Sequence, residues 1–276
     1  MASVSARAPD LGGGLQYHIR CRPGDVAPYV LMPGDPDRVS VISSFWEERR
    51  EVARHREYTT HTGRYRGAPI SATSTGIGGP AASIALEELL RVGAHTFIRV
   101  GTTGAIQRDI RVGDVIIATG AVRLDGASGE YVRVEYPALA HYEVVLALVE
   151  AAESLGARYH VGVVASTDTF YTGQSRPGFR GYQPSWSPSI MADLQAAGVL
   201  SFEMEAATIF TISGVYGARA GAVLAVIANR VTDEFVPEAG VETAVRVANE
   251  AGRILYEWDQ AKQKRGKKFF HPSLII

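Results

Sequence analysis

The stretch that most constrains the fold lies between Thr73 and Gly104, where two apolar segments each lead into a glycine-rich turn. The first turn, residues 76–79, is followed by Pro80, and proline is favoured at the first position of a helix. Residues 81–92 have the apolar periodicity of an amphipathic helix. Strand, glycine turn, helix, strand and glycine turn in this order predict a parallel α/β sheet that binds a ligand at its strand ends.

Arg99 is the unusual residue of this stretch because it lies inside the second apolar segment, 96–100. An arginine in a buried strand needs an anion or a carboxylate beside it. Arg38 follows another glycine turn, at Gly34, and the two guanidiniums together with the hydroxyl of Thr102 suit phosphate. The sequence therefore predicts an anion site here, although a structural ion pair would satisfy Arg99 and a solvated helix position would satisfy Arg38.

The rest of the chain alternates predicted strands and helices, with no internal repeat and no linker-like composition. One domain is therefore the simplest interpretation. Residues 51–66 are predicted to be extended, with a hairpin near Gly63. Residues 177–189 are predicted to form a loop or lid, and residues 190–197 a helix.

Composition limits the function classes. With 276 residues, 46% of them hydrophobic, and a formal net charge of −1, the chain can bury a large core and shows no charge excess that favours nucleic acid or a membrane surface. It has no signal-peptide pattern and no apolar segment long enough to span a bilayer. The single cysteine, Cys21, excludes an intramolecular disulfide. We expect a cytoplasmic protein with flexible segments at 1–14 and 264–276.

Gly76, Gly78 and Ala81 match the G-x-G-x-x-A spacing of dinucleotide-binding folds. That fingerprint requires an acidic residue about twenty positions later to hold a ribose. This sequence places Arg99 and Thr102 there instead. A dinucleotide-dependent oxidoreductase is therefore disfavoured, and helix packing explains the tight turn equally well.

Two other groups of residues suit a nucleoside. Glu205 follows Glu203 just before a predicted helix, and one carboxylate can accept hydrogen bonds from two adjacent sugar hydroxyls. Acidic residues also stabilise a helix N-terminus, which is the alternative. Gln174 and Arg176 point the same way from an extended segment, and an amide matches the imide edge of a nucleobase. The arginine would stabilise charge on a departing oxygen, and Phe170 could stack on the base, although loop polarity and core packing also explain these residues.

Six motifs occur together in the order typical of the nucleoside phosphorylase family, which the chain resembles from about His18 to Glu250. The motifs are Pro33-Gly34-Asp35-Pro36-Asp37-Arg38, His55-Arg56-Glu57-Tyr58-Thr59, Ser74-Thr75-Gly76-Ile77-Gly78-Gly79-Pro80, Arg99-Val100-Gly101-Thr102-Thr103-Gly104, Asp168-Thr169-Phe170-Tyr171-Thr172-Gly173-Gln174-Ser175-Arg176 and Phe202-Glu203-Met204-Glu205. The resemblance implies one α/β domain with a central mixed β-sheet that is partly closed into a barrel and flanked by helices. It also implies a homohexamer, a trimer of dimers whose active sites are shared across each dimer interface.

The resemblance further implies a role for each site residue. The residues implied to bind phosphate are Gly34, Arg38, Arg99, Thr102 and, from the neighbouring subunit, Arg56. Those implied to hold the ribose are Met204, Glu205 and, from the neighbouring subunit, His18. Those implied to contact the base are Thr103, Phe170, Gln174, Arg176 and Arg230. The residues implied to act directly in catalysis are Arg99, Gln174, Arg176 and Glu205.

The chemistry so implied is phosphorolysis, in which phosphate attacks the anomeric carbon while the bond to the base stretches. Gln174 and Arg176, together with the phosphate arginines, make uridine the expected substrate. Asn229-Arg230 also resembles the uridine type, whereas Asp233 keeps a purine nucleoside as the alternative. A nucleosidase and a non-catalytic nucleoside-binding protein are further alternatives. No cofactor besides the co-substrate phosphate is expected. Some relatives hold a structural potassium ion with the residue at the position of Glu57 and a serine, but Ala81 replaces that serine here.

Overall fold

The computed structural model describes residues 5–7 and 9–274. This part of the chain forms eleven strands and seven α-helices. The strands are β1 (Tyr29–Pro33), β2 (Glu48–His55), β3 (Tyr58–Tyr65), β4 (Ala68–Thr73), β5 (Thr96–Ala105), β6 (Val115–Leu124), β7 (Ala138–Leu139), β8 (Tyr159–Thr167), β9 (Ser201–Glu203), β10 (Arg219–Asn229) and β11 (Glu234–Phe235). The helices are α1 (Pro36–Ser43), α2 (Gly79–Arg91), α3 (Ala127–Tyr131), α4 (Tyr142–Ser154), α5 (Ser187–Ala196), α6 (Ala206–Val215) and α7 (Val241–Arg265).

All eleven strands join one mixed sheet, and five of them form a closed ring. The sheet order is β11-β10-β6-β8-β9-β5-β1-β4-β3-β2, with β7 paired to β6 and β10 paired also to β5. That last pairing closes β5, β10, β6, β8 and β9 into a barrel. Closure removes free strand edges, so the backbone groups of these strands are paired within the protein. The predicted single α/β domain with a partly closed mixed sheet is confirmed.

Strand β5 is longer than the sequence predicts. It continues to Ala105 through both glycines and both threonines, because β10 pairs with it over this whole length and β9 pairs with its last residues. The prediction that the strand stops at a turn after Val100 is therefore wrong. Gly101 is required by packing, since a Cβ there would lie 2.8 Å from Nη2 of Arg99. Thr102 consequently lies within a strand and is held in a fixed register.

A hairpin does lie near Gly63, but Gly63 is not in its turn. The chain reverses at Arg56, which has a φ of 56°, and again at Arg66 and Gly67 between β3 and β4, whereas Gly63 lies inside β3. A Cβ at Gly63 would lie 1.8 Å from the carbonyl oxygen of Glu48 on the paired strand, so the glycine allows close pairing instead of a turn. Helix α5 also begins earlier than predicted, at Ser187, because proline at the next position fits the first turn of a helix.

Helices cover both faces of the sheet. The amphipathic helices α4 and α7 pack on one side of it, and α2 and α6 pack on the other. Alternate residues of β5 point to opposite faces of the sheet: Ile98 and Val100 face α7, while Phe97 faces α2 and α6. Arg99 follows the same alternation and so points toward the side where α6 begins.

A buried group of charged residues connects helices α4 and α7 to the amino ends of the strands. We call it the far cluster; its members are Glu143, Arg219, Asp259 and Lys262. Arg219 lies 2.7 Å from Glu143 and 2.6 Å from Asp259, and Lys262 lies 2.7 Å and 2.9 Å from the same two carboxylates. Two cations therefore balance two anions. Tyr29 donates a further hydrogen bond of 2.5 Å to Asp259.

The C-terminal residues that the structure describes pack against α7. The ring of Phe270 stacks on Trp258 with centroids 3.7 Å apart, and Leu274 is buried. Of the segments predicted to be flexible, residues 1–4, 8 and 275–276 lie outside the described residues, and the flexibility of the others stays a prediction. Among residues 5–7 and 9–274, no helix is long and apolar enough to cross a bilayer.

Candidate active site

A cavity of about 700 Å³ opens where β1, β5, β9 and β10 approach one another. It brings together most of the site residues predicted from the sequence. Those lining it are Gly34, Arg38, Arg99, Thr102, Thr103, Phe170, Gln174, Arg176, Met204 and Glu205. Segments far apart in the chain therefore contribute to one concave site, as is usual for a ligand site at a sheet's strand ends.

One end of the cavity is formed by the two glycine turns. Gly34 follows β1, and its carbonyl accepts a hydrogen bond of 3.0 Å from the backbone N–H of Gly76. Asp35 caps α1 by accepting from the N–H of Asp37, so the first turn of the helix presents Arg38 to the cavity. Nη2 of Arg38 lies 3.8 Å from the exposed carboxylate of Glu238. This weak surface contact leaves the Arg38 guanidinium available to an anion.

Arg99 lies at the same end and is paired with two carboxylates. Its Nε donates to Glu203 at 2.8 Å, and its Nη2 pairs with Glu205. We call Arg99, Glu203 and Glu205 the cavity cluster; none of the three is more than 4% exposed, and all three line the cavity. Burial alone would lower the pKa of Arg99, but the two carboxylates raise it above its usual value, so the guanidinium stays charged. The structural ion pair considered from the sequence therefore exists, within the wall of the cavity.

Glu203 anchors this cluster to the start of α6. Its carboxylate accepts the backbone N–H groups of Glu205 at 2.8 Å and Ala206 at 2.9 Å, and the hydroxyl of Ser166 also donates to it. Sequence reasoning weighed Glu203 beside Glu205 but did not select it as a site residue. The available signal was two acidic residues one position apart before a helix, where free N–H groups need acceptors.

Glu205 carries the second carboxylate. One of its oxygens accepts the backbone N–H of Gly78 at 2.5 Å, and the other faces Arg99. Burial raises the pKa of Glu205, Arg99 opposes this shift, and the charge on Glu203 adds to it. A buried carboxylate with two nearby donors and access to the cavity is suited to accept hydrogen bonds from ligand hydroxyls.

The opposite end of the cavity contains an amide and a guanidinium in contact. Nη1 of Arg176 donates to Oε1 of Gln174 at 2.6 Å and to the carbonyl of Phe170 at 2.8 Å. The guanidinium also lies over the Phe170 ring, 3.9 Å from its centroid. Burial, together with the nearby charge of Arg230, lowers the pKa of Arg176 to about 10. Arg176 is therefore still cationic at neutral pH.

Three predicted site residues do not line the cavity of their own chain. Nδ1 of His18 lies 2.7 Å from Glu88, and Nη2 of Arg56 lies 3.5 Å from the hydroxyl of Tyr17. Arg230 lies beside the end of the cavity formed by Gln174 and Arg176, where its Nη1 donates to the backbone carbonyl of Gln174 at 2.8 Å.

Twelve further lining residues were not among the predicted site residues, and half of them have apolar side chains. They are Asp35, Pro36, Glu57, Gly76, Ile77, Gly101, Gly104, Phe202, Glu203, Ile227, Ala228 and Phe235. Apolar residues such as Ile227 carry no sequence signal that separates a cavity wall from an ordinary core position. Within the described residues, no group of three or more histidine, cysteine or acidic side chains could hold a metal ion.

The cavity thus has three chemically distinct parts. Arginine side chains and glycine turns lie at one end, a buried carboxylate lies in the middle, and an amide–guanidinium pair lies at the other end. A ligand that joins an anion, a polyhydroxyl ring and a heterocycle would match all three. Apolar walls would exclude water from the junction between these parts and strengthen the electrostatic interactions there.

Comparisons with known proteins agree with this arrangement. Residues 28–257 match the sequence profile of a family described as the Phosphorylase superfamily. The chain is 62% identical over 271 residues to a uridine phosphorylase of Thermococcus kodakarensis, covering 98% of each protein. It is 46% identical over 244 residues to the uridine phosphorylase of Escherichia coli, covering 87% of this chain and 95% of that protein. A guanosine phosphorylase of Halorubrum lacusprofundi is 40% identical over 243 residues, covering 84% and 95% respectively.

Proposed function

The chain belongs to the phosphorylase superfamily, and from this premise we propose that it is a pentosyltransferase that reversibly cleaves uridine with phosphate to uracil and ribose 1-phosphate. The similarity to proteins named uridine phosphorylase supports this substrate. The observation that carries the proposal is the three-part cavity, with arginines at one end, Glu205 in the middle and Gln174 beside Arg176 at the other end.

Phosphate binds at the arginine end and attacks the anomeric carbon. Gly34, Arg38, Arg99 and Thr102 position it, and the side chain of Glu205 with Met204 orients the ribose. A bond forms between a phosphate oxygen and C1′ while the bond from C1′ to the base nitrogen breaks. Positive charge builds on the ribose in the transition state, and the adjacent phosphate anion stabilises it.

The departing base receives the electron pair of the broken bond. Negative charge then spreads onto the uracil oxygens, where Arg176 and Gln174 stabilise it most strongly as the bond lengthens. Thr103 and Phe170 contact the base, and Arg230 holds the backbone of Gln174. The uracil anion finally takes a proton from water. These roles require no covalent enzyme intermediate.

We propose that phosphate is a co-substrate and that no other cofactor takes part. Ala81 has no side-chain oxygen, which argues against a structural potassium ion at that position. Because uracil and the sugar phosphate can be reused, we propose a role in pyrimidine salvage. We also propose that the protein acts in the cytoplasm.

The substrate proposal is tested by three parallel incubations: uridine with phosphate, uridine without phosphate, and inosine with phosphate. We expect uracil release that depends on phosphate and is faster than cleavage of inosine. Release without phosphate would identify a nucleosidase, and faster inosine cleavage would identify a purine nucleoside phosphorylase. Absence of any phosphate-dependent uracil release contradicts the proposal.

We also propose a homohexamer, a trimer of dimers in which each site receives His18 and Arg56 from the neighbouring subunit. Two observations support this: both residues lie outside the cavity of their own chain, and Ile77 at the cavity rim is 78% exposed although it is large and apolar. Light scattering should therefore give six times the mass of the chain.

Shared sites have a sharper test in co-expression of Arg56→Met with Arg99→Met. In a mixed dimer, one site keeps its own Arg99 and receives the partner's intact Arg56, while the other site lacks both. Each variant alone should be almost inactive, and the mixture should recover up to about a quarter of the wild-type activity. No recovery in purified mixed oligomers contradicts the sharing.

A further inference from the structure

The side-chain amide of Gln174 has a hydrogen-bond partner at each end. Nη1 of Arg176 can only donate, and it lies 2.6 Å from Oε1 of Gln174. Nε2 of Gln174 lies 3.1 Å from Oγ1 of Thr167. The hydroxyl of Thr167 lies 3.3 Å from the carbonyl of Thr169, and when it donates there, its lone pair accepts from the Gln174 amide. A flipped amide would place its NH₂ group against the guanidinium, donor against donor.

The surroundings of this amide leave it little freedom to rotate. Gln174 is 3% exposed and Thr167 is 2% exposed. The backbone of Gln174 is also held: its carbonyl accepts from Arg230, and its N–H donates to the carbonyl of Tyr171 at 3.0 Å. The preceding Gly173 allows this close packing, because a Cβ there would lie 2.6 Å from Oγ1 of Thr169. Rotation of the amide would leave a buried donor without an acceptor, which is unfavourable.

A fixed amide presents its donor and acceptor to the cavity in one order. Uracil carries an N–H at ring position 3 between two carbonyls, whereas cytosine carries a lone pair at position 3 and an amino group at position 4. An amide oxygen that faces position 3 accepts from uracil but meets a second lone pair in cytosine. An amide that is free to rotate could exchange its two ends and pair with either base.

We propose that Thr167 is a positioning residue that, together with Arg176, holds the order of donor and acceptor on Gln174 and thereby strengthens the selection of an imide base over a 4-amino base. Thr167 does not line the cavity and acts only through Gln174. The inference rests on the proposed uridine phosphorolysis and adds the residue that sets its base discrimination.

The experiment compares Thr167→Val, which removes the hydroxyl at nearly constant volume, with Thr167→Ser, which keeps it. Rates are measured with uridine and phosphate, with cytidine as alternative substrate and as competitive inhibitor. Thr167→Val should lower kcat/KM for uridine about five- to tenfold, mainly through KM, because one buried hydrogen bond is lost. The preference for uridine over cytidine should fall by a similar factor, while KM for phosphate stays unchanged. Thr167→Ser should restore both quantities.

Thr172→Val is the matched control, because it removes a nearby hydroxyl that makes no hydrogen bond to the Gln174 amide. An unchanged uridine-to-cytidine preference in Thr167→Val, or equal impairment of the valine and serine variants, overturns the proposal. If the valine variant does not fold, Thr167→Ala is judged by the same criteria. Failure of both to fold would assign Thr167 to the fold and would also overturn it. Wild-type protein without phosphate-dependent uridine cleavage would instead refute the proposed function itself.

Discussion

Two clusters of charge lie at different positions along the same strands, and they differ in the balance of cations and anions. The far cluster stands at the amino ends of β1, β5 and β10 and contains two cations for two carboxylates, each within 3 Å of a partner. The cavity cluster lies farther along β5, beside the cavity, and contains one arginine for two carboxylates. Both are buried, but only the cavity cluster has charge left over and an open space beside it.

This difference teaches how to separate a structural charge from a functional one. Burial alone does not distinguish them, since the side chains of Arg99 and Arg219 are 5% and 13% exposed. A balanced group with no cavity gains nothing from a ligand. An unbalanced group that faces a cavity can bind a ligand. Its carboxylates can accept hydrogen bonds from ligand hydroxyls, and its arginine can donate to an anion.

The largest expected effect is on activity, from Arg99→Met. We expect a loss of about 10³-fold in kcat/KM for uridine, because the variant removes the proposed buried donor to the phosphate at nearly constant volume. Steady-state kinetics at saturating phosphate measure the change, and circular dichroism checks that the variant is folded. Activity within a few fold of wild type would remove Arg99 from the phosphate site and abolish the contrast between the clusters.

The matched variant in the far cluster, Arg219→Met, should behave in the opposite way. Glu143 and Asp259 would share a single remaining cation, so the free energy of unfolding should fall by about 3 kcal/mol. Urea denaturation measures this fall. The kcat/KM of the folded fraction should stay within about twofold of wild type, since an effect confined to stability is expected far from the site. A large loss of turnover with unchanged stability would contradict the structural role.

Gly101→Ala sharpens the comparison by displacing Arg99 without removing it. The new Cβ would lie 2.8 Å from both Nη2 of Arg99 and Cδ2 of Leu224, so the guanidinium must shift together with the leucine. We expect kcat/KM to fall roughly 30-fold, since a small misplacement of a binding group is costly in an ordered site. The control is Gly129→Ala, where a Cβ would meet nothing within 4 Å, and its kcat/KM should equal that of wild type. Equal kinetics for the two variants would show that the position of Arg99 is not critical.

The smallest effect concerns acid stability in the far cluster. Burial alone would raise the pKa of Asp259, but hydrogen bonds and charge from Arg219 and Lys262 hold it at about 2, below its ordinary value of 3.8. The stabilisation is therefore complete above pH 3.8 and is lost as the pH falls through 2. Between pH 5 and pH 2, the free energy of unfolding should therefore fall by about 1.5 kcal/mol more in wild type than in Asp259→Asn, after allowing for solvent screening.

Urea titrations at several pH values measure this difference. The control is Asp193→Asn, which changes an exposed carboxylate on α5. Its free energy of unfolding should fall between pH 5 and pH 2 by the same amount as that of wild type. Equal losses of the free energy of unfolding in wild type and Asp259→Asn would mean that Asp259 does not keep a lowered pKa in the folded protein.

The sequence predicted some parts of this arrangement for clear physical reasons. Arg99 was identified because a charge in an apolar segment conflicts with its surroundings, and that conflict is visible without coordinates. Arg219 was not, because a charged residue at the start of a strand looks like an ordinary solvated position. Thr167 contacts the ligand site only through Gln174, and no local pattern reveals such a contact.

Glycines caused the clearest errors in the fold. Gly63 and Gly101 resemble turn residues in the sequence, but both lie inside paired strands. Each one is needed because another group approaches the backbone closely, the carbonyl of Glu48 in the first case and the guanidinium of Arg99 in the second. Only the positions of the neighbouring strands reveal that requirement, so tertiary pairing decided what local propensity could not.

The closed ring of strands has a consequence for how the protein can diversify. Thr102 and Arg99 lie on β5, whose register is fixed by β1, β9 and β10 together. Gln174 and Arg176, by contrast, lie on a loop that follows β8. Mutations can therefore reshape the loop while the barrel stays intact. The two halves of the site form separable modules, so an altered choice of base can evolve without rebuilding the half that handles the anion.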